Sequence, residues 1–126
     1  MDNQTIVAYL LEMARALEYL EENPFRAQAY SRAARSIQAL GVNVSELAAR
    51  GAISGIPGIG KGIASTIEAW VIRGDFSELE RLRAMLPLGI DELLKVPGLG
   101  LKRIRVLSRE LKVETLEDLL EALEQG

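Results

Sequence analysis

The sequence predicts an all-α fold. Apolar residues recur at three- and four-residue steps, no stretch sustains the period-two alternation of a strand, and no Asn-Gly hairpin turn occurs. In chain order, Ile6, Leu10, Met13, Leu17 and Leu20 form one helical stripe. Asn23-Pro24 supplies an N-cap with proline at the first helical position, and Gly41 is placed to stop the helix that follows. Ser45 is positioned to cap a short helix ending near Gly51. The next helix is expected from about Gly62 to Arg73, ended by Gly74. Ser77 opens another, with Glu80 at capping-box spacing, and Thr115 opens the last, with Asp118 in the same relation. Pro87 falls between the chain's two halves, whose bounds are set at 1–74 and 75–126 with one hairpin each, but no linker is long or Ser/Gly-rich enough for independent domains. A compact multi-helix unit over 1–126 is therefore expected.

The 126 residues are 48% hydrophobic and 26% charged, a globular composition in a chain long enough for its own core. Neither Cys nor His occurs. Disulfide frameworks, thiolate nucleophiles and imidazole acid–base or zinc chemistry are thereby excluded, and most enzyme classes with them. No run approaches the roughly 20 apolar residues of a membrane helix, and the acidic start at Asp2 is no signal peptide. A cytoplasmic protein without membrane partners is expected.

The net charge of −3 conceals segregation. Residues 1–24 carry Asp2, Glu12, Glu18, Glu21 and Glu22 against Arg15, and from Val113 onward Glu114, Glu117, Asp118, Glu121 and Glu124 meet no base. Between these ends, Lys95, Lys102, Arg103, Arg105, Arg109 and Lys112 face Glu110 alone. A basic segment inside an acidic chain points to a localised polyanion contact, with a solvated helix face as the plain alternative.

An internal repeat adds to this. Ile56-Pro57-Gly58-Ile59-Gly60 and Val96-Pro97-Gly98-Leu99-Gly100 share the pattern apolar-Pro-Gly-apolar-Gly, 40 residues apart. Each precedes an apolar-periodic helix: Ile63, Ile67 and Trp70 after the first, Ile104, Leu107 and Leu111 after the second. The two glycines permit positive φ and leave no Cβ in the way, while the apolar residue between them plugs the core. The N–H groups at the following helix start lack intrahelical partners, and the helix dipole presents its positive end there. That combination is an anion site, and a nucleic-acid phosphate suits it. Such a contact positions a duplex without reading its sequence. The alternative is a pair of glycine-rich joints with no ligand. Duplication and the nearby Lys61, Lys102 and Arg103 favour phosphate contacts at Gly58, Gly60, Lys61, Gly98, Gly100, Lys102 and Arg103, with Arg105 and Arg109 as lesser candidates. Gly55 to Lys61 also fits most of a nucleotide-binding P-loop. However, Gly62 stands where a Ser or Thr would bind Mg²⁺, and no apolar strand precedes the loop, so NTPase activity is not expected.

The hairpins resemble the helix-hairpin-helix DNA-binding motif. Their context is Glu22-Asn23-Pro24-Phe25-Arg26-Ala27-Gln28-Ala29-Tyr30 and Ala33-Ala34, then the two hairpins, then Thr115-Leu116-Glu117-Asp118-Leu119. That order is similar to the N-terminal region of family X DNA polymerases, most closely the bacterial type, over nearly the whole chain. The resemblance implies an all-helical module that binds gapped, nicked or ended DNA, nucleoid-associated if bacterial, with each hairpin holding a strand's phosphates. It implies a monovalent cation, potassium or sodium, on the carbonyls of Ser54, Ile56 and Ile59 and of Leu94, Val96 and Leu99; no other cofactor is expected. It also places a 5′-phosphate near Arg26 and Tyr30, for which a solvated helix residue and core packing are the alternatives.

Two departures limit the carry-over. Some family members cleave abasic sites through a Lys Schiff base, and the matching position here is Thr66, with Gly62 in place of a second lysine. Thr cannot form an imine. The family's nucleotidyl-transfer carboxylates belong to a palm domain that would begin beyond Gly126. The expectation is a non-catalytic DNA-binding module. Its rivals are a protein-interaction adaptor docking through the acidic terminal helices and an abasic-site lyase using Lys61.

Overall fold

A computed structural model describes residues 1–125; Gly126, the end of the expected second half, lies outside them. The first helix, α1 (Asn3–Tyr19), is capped by the Asp2 side chain, which accepts from the Thr5 N–H. Its predicted stripe is real. Ile6, Leu10, Met13 and Leu17 are fully buried, and Leu20 packs at the helix end. Helix α2 (Pro24–Gln38) starts as predicted, with Asn23 as cap and Pro24 in the first turn, and packs most extensively on α1. It ends at Ala39 in the ordinary helical region, two residues before Gly41, so that glycine is not the cap.

Helix α3 (Val44–Ala49) is capped by Asn43, whose side chain accepts from the Ser45 N–H. Ser45 lies inside the helix, and its hydroxyl donates to the Met1 carbonyl instead. An Asx side chain two residues ahead of the amide outcompetes the serine. A single 3₁₀ turn (Ile53–Gly55) leads to the first hairpin and α4 (Lys61–Arg73), which Gly74 ends at φ 60°. The Asp75 N–H closes that end on the Ala69 carbonyl at 2.9 Å.

Helix α5 (Ser77–Ala84) is started by Asp75, which accepts from both the amide and the hydroxyl of Ser77. The expected Ser77–Glu80 box does not form: the N-cap is Phe76, without a side-chain cap, and Ser77 bonds back to Asp75 two residues earlier. Past Pro87 come α6 (Ile90–Leu94), α7 (Leu101–Leu111) and α8 (Leu116–Glu124). The Thr115 side chain accepts from the Asp118 N–H as expected, and Asp118 reaches back to the Glu114 N–H at 3.0 Å. No strand occurs among the described residues.

Two cores result. The larger joins α1 to α5 around Ile6, Leu10, Leu17, Tyr30, Ile37, Ile53, Ile67, Leu79 and Leu82. An aromatic triad tightens it: Tyr9 meets Trp70 and Phe76 edge-on, with centroids 5.7 and 5.5 Å away. The smaller core is Tyr19, Ile90, Leu93, Ile104 and Val113, and Leu20 and Leu86 pack against both. The boundary drawn at 74/75 thus runs through both cores: Tyr19 belongs to the second, Leu79 and Leu82 to the first. Gly89 donates to the Glu114 carbonyl at 2.8 Å, and a Cβ there would meet Thr115 Cα at 3.0 Å, so α6 starts hard against the α7–α8 loop.

Hydrogen bonds from Thr5 hold the Asp2 carboxyl below the usual carboxylate range, and those from Ser77 do the same for Asp75. Groups that bind protons less readily when folded stabilise fully above about pH 4 and lose that contribution as pH falls below it. Thermal melts should therefore be flat near neutrality and drop below about pH 4. Asp75→Asn, which still accepts from Ser77 but cannot titrate, should show a shallower acid loss in the same melts.

Candidate nucleic-acid interface

The two repeats fold alike, bond for bond. Ile56 N–H donates to Ile53 carbonyl at 3.0 Å, and Val96 N–H to Leu93 carbonyl at 3.1 Å. Across the corner, Ile59 donates to Ile56 and Leu99 to Val96, both at 3.1 Å. The helices then begin with Ala64 donating to Gly60 and Ile104 to Gly100, both at 3.0 Å. In each corner the first glycine takes positive φ, 90° at Gly58 and 83° at Gly98. The second does not: Gly60 and Gly100 are extended, at φ −83° and −99°, and serve as N-caps of α4 and α7. Only one glycine per corner meets the backbone need that the sequence suggested for two.

The corners lie at the surface. Pro57, Gly58 and Gly60 are exposed in the first, and Pro97, Gly98 and Gly100 in the second, while Ile59 is buried and Leu99 half-buried as plugs. A Cβ on Gly60 or Gly100 would meet nothing within 4 Å. Gly58 differs, because a Cβ there would fall 2.4 Å from the Ser36 Oγ, which itself donates to the Pro57 carbonyl at 2.8 Å. Helix α2 thus braces the first corner.

Helices α1, α2, α3, α5 and α8 all begin with a side-chain oxygen accepting one of their first amides. Helices α4 and α7 have no side-chain cap. The N–H groups of Lys61, Gly62 and Ile63, and of Leu101, Lys102 and Arg103, therefore precede the first intrahelical bond of their helices and carry the positive end of the dipole. Lys61, Lys102 and Arg103 are exposed and in no ion pair among the described residues, and Arg103 Nη1 donates to the Gly98 carbonyl at 3.1 Å.

Other candidates are placed differently. Arg105 turns inward, its side chain 18% exposed, with Nη1 2.6 Å from Glu21 Oε2; it pulls the Glu21 carboxyl below its usual range. It ties α7 to the end of α1 and leaves the hairpin face. Lys95 pairs with Glu92, so the basic segment is partly compensated, while Arg109 and Lys112 remain exposed and in no ion pair among the described residues. Arg26 pairs with Glu78 and lies over the Tyr30 ring, 5.6 Å from its centroid. Tyr30 is 2% exposed, which core packing satisfies, and its hydroxyl lies 3.4 Å from Thr66 Oγ1. Thr66 also donates to the Gly62 carbonyl, as a helix residue does. The residue before the P-loop-like stretch is in a 3₁₀ turn, not a strand. No group of three or more His, Cys, Asp or Glu able to hold a metal occurs among the described residues, and no helix is long and apolar enough to cross a membrane.

Comparison with known proteins agrees with this geometry. The chain is 38% identical over 125 residues, 99% of its length, to the N-terminal part of the DNA polymerase/3'-5' exonuclease PolX of Bacillus subtilis (strain 168). It spans 21% of that relative. A family model described as a helix-hairpin-helix domain matches residues 1–76, which hold α1 to α4 and the first corner. The chain belongs to the helix-hairpin-helix domain family.

Proposed function

We propose that this chain is a sequence-independent DNA-binding module that grips the phosphate backbone at two corners and acts on gapped or nicked duplex. One observation carries the reading: α4 and α7 both start at the surface with a glycine N-cap, no side-chain cap, and bases that make no ion pair among the described residues. A relative named as a DNA polymerase and exonuclease supports DNA as the polyanion. In this reading the contacts are main-chain amides plus Lys61, Lys102 and Arg103, so the strand is positioned and no base edge is read. Arg26 and Tyr30 are assigned to the fold, and no catalytic role is given to any residue.

The carbonyls of Ser54, Ile56 and Ile59, and of Leu94, Val96 and Leu99, fit a monovalent cation. They are neutral donors without a carboxylate cluster, where a divalent ion would call for charged oxygens. Those of Ile56 and Val96 accept one N–H each and keep a second lone pair. When bound, potassium or sodium would add positive charge beside the phosphate; the amide contacts stand without it.

A second reading is favoured by the last helix. Leu116, Leu120 and Leu123 are exposed at helical spacing on α8, flanked by Glu117, Glu121 and Glu124. That face suits a protein partner and would make the chain an adaptor.

Fluorescence anisotropy on gapped DNA separates the two. With about three phosphates neutralised, log K should fall against log salt with a slope of roughly −2 to −3. Gly60→Leu with Gly100→Leu should weaken binding to every sequence alike; affinity unchanged by the pair would refute the assigned corners, and no salt-dependent affinity at all would hand the chain to the adaptor reading. Because Thr66 replaces the imine-forming lysine, borohydride trapping on abasic DNA should give no covalent adduct, and an adduct lost in Lys61→Ala would establish the lyase. Gly58→Ala should cost about 1–3 kcal/mol in urea unfolding, from its positive φ and the contact with Ser36, whereas Gly60→Ala should cost under about 1 kcal/mol.

A further inference from the structure

We infer that Arg32 on α2 is a third element of the first corner's grip, contacting the phosphate next to the one held by the α4 amides. This rests on the DNA-binding reading above. The repeat supplies each corner with bases from its own following helix, Lys61 in one and Lys102 with Arg103 in the other. In the second corner Arg103 lies against the positive-φ glycine, bonded to the Gly98 carbonyl. The first corner has Gly62 and Ile63 after Lys61, so no arginine of α4 can play that part.

Helix α2 takes its place. A Cβ on Gly58 would lie 3.6 Å from Arg32 Cγ and 3.7 Å from Ser36 Cβ, so the side chains one turn apart on a single face of α2 flank the glycine. Ser36 holds the two pieces in register through its bond to the Pro57 carbonyl. Arg32 is exposed and makes neither an ion pair nor a side-chain hydrogen bond among the described residues. Other arginines bridge elements of the fold: Arg15 to Asp91, Arg26 to Glu78, Arg83 to Glu12 and Arg105 to Glu21. Arg32 stands beside the exposed Gly58 corner instead, with a guanidinium fork that matches phosphate oxygens. Ser36 is a positioning residue, since it touches the corner and not the strand.

The test is a salt series of anisotropy titrations on gapped DNA with the full chain. Arg32→Gln should lose about eightfold in affinity near 0.1 M salt and flatten the log–log slope by about 0.9, the counterion-release share of one phosphate. Arg32→Lys should keep the slope. Arg81→Gln, a base on α5, should leave it unchanged, and circular dichroism melts should show all three variants folded. An Arg32→Gln slope equal to the parent's, or an equal loss in Arg81→Gln, overturns the inference. The two proposals fail separately. If Gly60→Leu with Gly100→Leu abolishes binding while Arg32→Gln changes nothing, only Arg32's role falls; if the parent chain shows no salt-dependent binding, both fall.

Discussion

The structure depends on one constraint, the tethering of each corner by the apolar residue between its glycines. Ile59 is driven into the main core, and a buried isoleucine contributes about 1.5–3 kcal/mol. To place it there the chain must reverse within two residues, which forces φ to 90° at Gly58, a region that costs other residues roughly 1–2 kcal/mol. With the plug inward and the glycine at the bend, the start of α4 has to face solvent. The outward-pointing amides are therefore a consequence of core packing, and the same sequence of causes recurs at Leu99 and Gly98.

The two copies are not equal in support. The first is built on five helices and braced by α2, while the second stands on a core of five buried residues, one of which, Tyr19, comes from α1. So small a core gains from being anchored elsewhere, and polar ties supply the anchors: Arg15 to Asp91 at 2.7 Å and Arg105 to Glu21 at 2.6 Å both run from α1 or its end to the second half. Half-exposed pairs of this kind add little stability each. They tie α1 and its end to α6 and α7, beside Leu20 and Leu86, which pack against both cores.

Most of the helices were legible in the sequence because their determinants are local. Stripes at helical spacing, Pro24 in a first turn, Gly74 after a last turn and the Thr115–Asp118 cap all act within a few residues. The cap of α3 was misplaced by two residues and the Ser77–Glu80 box of α5 does not form, since Asn43 and Asp75 compete with nearby serines and the path of the loop decides between them. The surface position of the two corners, with exposed Lys61, Lys102 and Arg103 beside them, was legible through the repeat. The fates of Arg26, Arg105 and Arg32 were not. Glu78, Glu21 and Gly58 lie 52, 84 and 26 positions away from them, and no periodicity links such pairs.

The second glycine of each corner poses a sharper question than the first. Gly58 and Gly98 are explained by their φ, but Gly60 and Gly100 have extended backbones and open space around them, so neither sterics nor conformation demands glycine. Both are N-caps, where Ser, Thr, Asp or Asn is the usual choice and where neighbouring helices use Asp2, Asn23, Asn43 and Thr115. Glycine gives up only a few tenths of a kcal/mol relative to those caps. What it preserves is access: a capping oxygen would consume the amides of the first turn, and a carboxylate would repel any anion approaching them. Leaving those positions bare at both corners keeps the first-turn amides open to a partner outside the fold, which is what the proposed phosphate contact requires.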